Sequence, residues 1–295
     1  MNRLSIIFLV IFATSYVSAH GTGDDHDAEI AFRPVAPVVG EPTTIDIMLR
    51  NASDEPVLSL DVTHGSAMHV FIIGSDLTTF AHVHPEDIKD GFSFQWIGAY
   101  SVRTTFPAAG KYLIAAEYTY QNISHQAVFP VEINGSKKMP VMTEDYSRSK
   151  TYGTLNVKLD APKNIVSIKN TELTYEITND QQPITELGEY LGSRAHFIVM
   201  RSDMTNVQHA HSGHDASSDS HSQKPELNEV TTNITFSEPG TYTVFSQFNI
   251  SGNIVTAQHL IKVGEPRSNS TSTVIIIAII IVLAAIGIKQ YLKKE

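Results

Sequence analysis

One spacing dominates this chain of 295 residues: His69, His82 and His84 are followed by His196, His209 and His211, each 127 positions after its counterpart. The stretches between them read alike, HVFIIGSDLTTFAHVH and HFIVMRSDMTNVQHAH, with a Ser-Asp pair in the middle of both. A gapless repeat of this kind constrains the fold, because the chain must build the same domain twice. The offset also relates Thr44 to Thr171, Pro56 to Pro183 and Ser66 to Ser193. Further along it becomes 130, relating Phe106 to Phe236, Gly110 to Gly240, Tyr112 to Tyr242 and Tyr118 to Phe248. The extra residues enter after His211, where the chain reads SGHDASSDSHSQKPE.

Segments such as TTIDIMLRN, HVFIIGS, KYLIAAEYTY, TELTYEIT, HFIVM and GTYTVFSQF are short, rich in β-branched and aromatic residues, and bounded by Gly, Pro, Asn and Asp. They read as strands, which predicts an antiparallel sandwich of about seven strands for each repeat. The expected sandwich domains run over 30–135 and 150–265, joined by a linker at 136–149, with a His-rich insertion at 212–225 in the second. No amphipathic helix of useful length is apparent between the chain ends. At the amino end, Arg3, an apolar run and Val17-Ser18-Ala19 read as a signal peptide over 1–19, followed by a His- and Asp-rich tail at 20–29. At the carboxyl end a stalk at 266–272 leads into an apolar stretch at 273–292 and a short tail at 293–295. The stretch reads as a transmembrane helix, and Lys289, Lys293 and Lys294 place its end in the cytoplasm. The expected fold class is therefore all-β, two tandem immunoglobulin-like antiparallel β-sandwiches followed by a single C-terminal transmembrane helix. A single-pass protein of the cell membrane follows, with its ectodomain outside the cytoplasm and the lipid bilayer as a partner.

Cysteine is absent, so no disulfide braces the domains, and thiolate metal sites, blue copper among them, are excluded. The formal net charge of −10 argues against a nucleic-acid partner. Asn51, Asn122, Asn134, Asn233, Asn249 and Asn269 begin Asn-x-Ser/Thr sequons, consistent with a glycosylated surface.

Imidazole is the commonest side-chain metal ligand, so two repeated triplets point to metal. A hairpin turn centred on Ser75-Asp76 places His69 opposite His82, with His84 further along the same face. The equivalent turn pairs His196 with His209, with His211 beyond. Phe71, Ile73 and Phe80 share the histidine face in the first repeat; Ile198, Met200 and Val207 share it in the second. The histidines are thus expected at the end of an apolar face, where a sandwich opens to solvent. His64 is a candidate fourth ligand in the first repeat, and Met68 a lesser one, since it neighbours His69 and points to the other face. Leu191 stands at the position of His64 in the second repeat, predicting a weaker site there. His214 and His221 in the insertion read as a metal-collecting loop. Cleavage after Ala19 would leave His20 as a terminal chelator, with His26 nearby. Neutral imidazoles without thiolate suit copper, or alternatively zinc.

The stretches His-Gly-Ser-Ala-Met-His-Val-Phe-Ile and Asp-Leu-Thr-Thr-Phe-Ala-His-Val-His-Pro-Glu, with their counterparts around His196 and His-Ala-His, resemble the YtkA-like family of secreted immunoglobulin-like domains. That family resembles in turn the periplasmic copper-binding CopC type of sandwich. The second copy departs from the pattern in lacking the first histidine and the proline after His-x-His. The resemblance implies copper handling near the cell envelope, with a metal transporter or an envelope protein as partner. The function expected from these readings is copper sequestration or delivery. The alternative is an adhesion or assembly ectodomain whose histidines are structural or pH-sensing. No nucleophile elbow, phosphate loop or HExxH helix is present, so the reading is not that of an enzyme, with a mononuclear metalloenzyme left as a further alternative.

Overall fold

The computed structural model describes residues 17–20, 27–88, 97–184, 187–213 and 229–266. In the first half, β1 (Val17–His20), β2 (Asp27–Arg33), β3 (Pro42–Arg50) and β6 (Ala99–Thr105) form one sheet in that order. A second sheet has the order β5-β4-β7-β8, from β4 (Met68–Gly74), β5 (Phe80–Val83), β7 (Gly110–Tyr120) and β8 (Ile123–Ile133). Asp27–Glu29, expected in the tail, are part of β2, and Ala19 and His20 pair with Ala28 and Asp27.

The second half repeats the plan. β9 (Ser149–Tyr152), β10 (Leu155–Asp160), β12 (Asn170–Asn179), β13 (Gln182–Pro183) and β16 (Glu229–Thr235) make one sheet. β11 (Ile165–Val166), β18 (Asn253–Gly264), β17 (Gly240–Ile250), β14 (Ala195–Arg201) and β15 (Val207–His211) make the other, in that order. Each half closes its own apolar core, around Ile30, Ile47, Val70 and Phe129 in the first and Leu173, Ile177, Phe197 and Val244 in the second.

A third core lies between the halves. In β4, Met68, Val70 and Ile72 enter the first sandwich, while Phe71 and Ile73 point the other way. There they join Leu77, Leu113 and Ala115 and meet Ile198, Met200, Val207 and Phe245 of the second half. Period-two alternation therefore gives β4 and β14 two apolar faces, one for each core, which is why both read as unbroken hydrophobic runs. Phe80 of β5 stacks on Phe245 of β17 with ring centroids 4.4 Å apart. The Gln126 side chain donates to the Val207 carbonyl and that of Gln258 to the Leu77 carbonyl, so polar groups also bridge the interface. The linker is packed as well, with Met139 against the first core and Met142 against the shared one.

Three expectations are corrected. No helix among the described residues is long and apolar enough to cross a membrane, which overturns the fold class with a C-terminal transmembrane helix. The single-pass cell-membrane location falls with it. The described apolar runs are strands whose faces are covered by protein. The segment 273–292 lies outside the described residues, as do most of the signal peptide and of the insertion at 212–225. The histidine face, expected to open to solvent, is covered by the other sandwich.

Candidate metal centre

The first histidine of each triplet follows a two-residue turn. Thr63 and Ser66 exchange backbone hydrogen bonds around His64 (φ 50°) and Gly65 (φ 77°), as Tyr190 and Ser193 do around Leu191 (φ 49°) and Gly192 (φ 75°). Positive φ at both central residues marks the turn whose twist matches a hairpin, and glycine takes the second position without a side-chain clash. The Ser66 and Ser193 hydroxyls then donate to the Met68 and Ala195 carbonyls, which starts β4 and β14 in the same register. As a result the carbonyls of Thr63 and Tyr190 face Nε2 of His69 and His196, at 3.3 and 2.7 Å.

The hairpin carrying the other histidines is longer than expected. Gly74 N donates to Thr79 O and Arg201 N to Asn206 O, so each loop has four residues, with Leu77 and Met204 at φ 54° and 61°. Asp76 imposes this in the first copy by accepting hydrogen bonds from the backbone and hydroxyls of Thr78 and Thr79. The predicted pairing of His69 with His82 is therefore corrected by one pair. Phe71 lies across from His82 and Ile198 across from His209, while His196 faces His211. A shift of two residues keeps every side chain on its face, so the triplets still converge.

In the first triad, Nδ1 of His69, Nε2 of His82 and Nε2 of His84 lie 3.1, 3.2 and 2.9 Å from one another. The opposite nitrogen of each ring faces an acceptor: the Thr63 carbonyl for His69, the Gln247 Oε1 at 2.7 Å for His82, and the Asp87 carboxylate at 3.2 Å for His84. The Gln247 amide is oriented by its own donation to the Thr256 hydroxyl. Each neutral ring must therefore carry its proton on the outer nitrogen, and three unshared electron pairs point at one another. Such an arrangement is repulsive unless a cation lies among them. Imidazole nitrogens at about 2.0–2.1 Å from a tetrahedral metal are about 3.3 Å apart, close to the observed triangle, and outer hydrogen bonds of this kind are how metal-binding histidines are held.

The second triad follows the same logic. Nδ1 of His196 and Nε2 of His209 are 3.0 Å apart, with the outer nitrogens donating to the Tyr190 carbonyl and, at 3.0 Å, to the Glu117 carboxylate. Nε2 of His211 is buried without a hydrogen-bond partner. One nitrogen from each of His196, His209 and His211 lies within 4.8 Å of the others, as in the first triad, so both triads can hold a metal ion.

Burial sets the electrostatics. It lowers the pKa of His69 to about 4, helped by the charge of His84, and lowers that of His196 to about 4. Burial and its histidine neighbours take His211 to about 2, and His82 and His209 well below the ordinary range. Burial also lowers His84, against the pull of Asp87. At neutral pH the rings are thus uncharged and ready to ligate.

His64 departs from its expected role. Rather than completing the first triad, its ring stacks on His211 of the second, with centroids 3.8 Å apart. The left-handed conformation at position 64 points the side chain across the interface, so the second triad, expected to be the poorer, has this ring beside it. Met68 is fully buried in the first sandwich core, away from the imidazoles. His20 ends β1, while His26, His214 and His221 lie outside the described residues.

Sequence reasoning missed the residues behind the rings. Glu117 and Gln247 stand at matching positions of β7 and β17, in the 130-residue offset, on faces that also carry Lys111 and Thr119 in β7 and Thr241, Thr243 and Asn249 in β17. The repeat offset that pairs the two positions was the available signal. Glu86, next to Asp87, accepts from Ser66 Oγ and Ala67 N and ties the turn after β5 to the start of β4.

Fold and site together define a class: a duplicated β-sandwich chain whose two imidazole triads meet between the copies. Residues 22–135 and 150–265 match the family described as Domain of unknown function (DUF8832), and the chain belongs to that family. No curated protein matches it. Among solved structures it is similar to the native conformation of E. coli alpha-2-macroglobulin at 11% identity and a TM-score of 0.23, covering 86% of this chain and 15% of that one. It is similar also to a chimeric titin Z1Z2 at 12% identity and a TM-score of 0.19, covering 85% and 100%. Three N-terminal domains of the outer capsid protein Hoc of bacteriophage RB49 give 12% and 0.18, covering 84% of this chain and 59% of that one. The chain thus spans about a seventh of the alpha-2-macroglobulin length.

Proposed function

We propose that this chain binds copper, with zinc as the alternative ion, at the paired histidine triads, and that it sequesters the ion or hands it on. The observation that carries this reading is the convergence of unshared nitrogen pairs in the first triad, each fixed by an acceptor on the outer side of its ring. Copper is favoured over zinc because divalent copper binds nitrogen sites more tightly, and because the resemblance to YtkA-like domains points the same way. Thermal unfolding of the purified chain with and without micromolar Cu(II) or Zn(II) tests it. Binding should raise Tm, by the equivalent of about 2.7 kcal/mol at a free metal concentration of 100 Kd. An unchanged Tm with both ions, together with a His69→Ala/His82→Ala variant that loses only stability, overturns it.

A further inference from the structure

The groups that orient the triads are exchanged between the domains. His82 belongs to the first sandwich but is held by Gln247 of the second; His209 belongs to the second but is held by Glu117 of the first. The rings of the two triads also approach one another, with centroids 5.2 Å apart for His69 and His209 and 5.9 Å for His82 and His196. Each triad draws its three histidines from one sandwich and one of its orienting groups from the other.

The exchange is symmetric in position and unequal in charge. Burial raises the pKa of Glu117, but both its oxygens accept hydrogen bonds, Oε1 from Gln126 and Oε2 from His209, which favour the carboxylate, as a bound cation would. Gln247 offers His82 a neutral amide. A carboxylate behind a ligating imidazole raises its basicity and supplies countercharge to the metal, and such partners change affinity by about 10–100-fold. Asp87 gives the first triad a carboxylate too, behind His84, but its side chain is 61% exposed and screened by water, against 23% for Glu117.

We propose that the triads form one two-metal centre assembled across the domain interface, in which the position at His196, His209 and His211, backed by Glu117, fills before the position at His69, His82 and His84, backed by Gln247. The inference rests on the triads being metal ligands. Glu117 and Gln247 are positioning residues, each acting through a histidine of the other domain.

Titration of the full chain with Cu(II), followed by calorimetry and electron paramagnetic resonance, tests it. Two equivalents should bind in two steps, the tighter lost in His211→Ala and the weaker in His84→Ala, and the second equivalent should bring dipolar broadening from paired copper ions. Glu117→Gln should weaken the tighter step about 10–100-fold and bring the two together, while Gln247→Glu should tighten the weaker one. That gain is a change that a merely structural role for position 247 would not produce, and it remains readable if the Glu117 variant folds poorly. Two bound ions with magnetically isolated spectra, or steps unmoved by either exchange, overturn the inference and leave the metal reading standing. Absence of copper binding by the unsubstituted chain overturns the metal reading itself.

Discussion

The first and second halves share a backbone plan and differ in the polar groups placed on it. Their turns before β4 and β14 agree in φ to within a few degrees, and both hairpins close with four-residue loops. Yet His64 stands against Leu191, Gln247 against Glu117, and the buried Asp76 against the exposed Asp203. Geometry needed to aim three imidazoles is kept in both copies, whereas charge around them has diverged. The residues that place the imidazoles are thus a different set from those that set the charge around them.

The comparison can be broken most severely at the ligands. His69→Ala/His82→Ala should abolish one of two bound ions and leave the other, measured as metal content after gel filtration; loss of both would mean that the triads do not act as separable halves. Next in size is the shared core. Phe245→Ala removes a ring that is 1% exposed and stacked on Phe80, at a cost of about 3–5 kcal/mol in urea unfolding. Because the ring joins the two halves, separate unfolding of the sandwiches should become visible in the same experiment.

Acid should act on both halves alike. His69 and His196 have folded pKa values of about 4 against 6.5 when unfolded. Their neutral forms are fully compatible with folding above pH 6.5. Below it the unfolded chain takes up protons first, so stability falls as pH drops from 6.5 toward 4. The loss is on the order of 3 kcal/mol for each residue, measured on metal-free protein by denaturation at pH 7.5 and 4. A much larger loss assigned to one half would sharpen the asymmetry.

The smallest effect separates the hairpin loops. Asp76 is 2% exposed and accepts four hydrogen bonds from Thr78 and Thr79, so Asp76→Ala should cost about 1–3 kcal/mol. Asp203→Ala, at an exposed position bonded to Thr205 and Arg201, should cost below about 1 kcal/mol. Equal costs would mean that the two loops are set by their strands rather than by their aspartates.

Much of this was legible in the sequence because side-chain alternation survives errors of detail. Phe71, Ile73 and Phe80 were placed on the histidine face, and they lie there although the register was misjudged by one pair. A two-residue turn at Ser75-Asp76 gives the wrong register because Asp76 wraps Thr78 and Thr79 and admits Leu77 in the left-handed region. Docking of the halves was written in β4 and β14, whose residues are apolar on both faces, but one chain segment does not say what covers its second face. Glu117 and Gln247 escaped for a related reason: each serves a ring on the opposite sandwich, and no local pattern names a partner on another domain. The apolar stretch at 273–292 was read by length and hydropathy alone, and no described helix crosses a membrane.

The packed connection between Ile133 and Ser149 has a consequence for how the centre behaves on dilution. Two separate sandwiches would meet only as their concentrations allow, and any ion held between them would be released as they parted. Joined by a short connection, the halves see one another at an effective concentration of about millimolar, whatever the amount of protein present. Retention of any ion between the halves should therefore be a property of the single molecule, the same at high dilution as at high concentration.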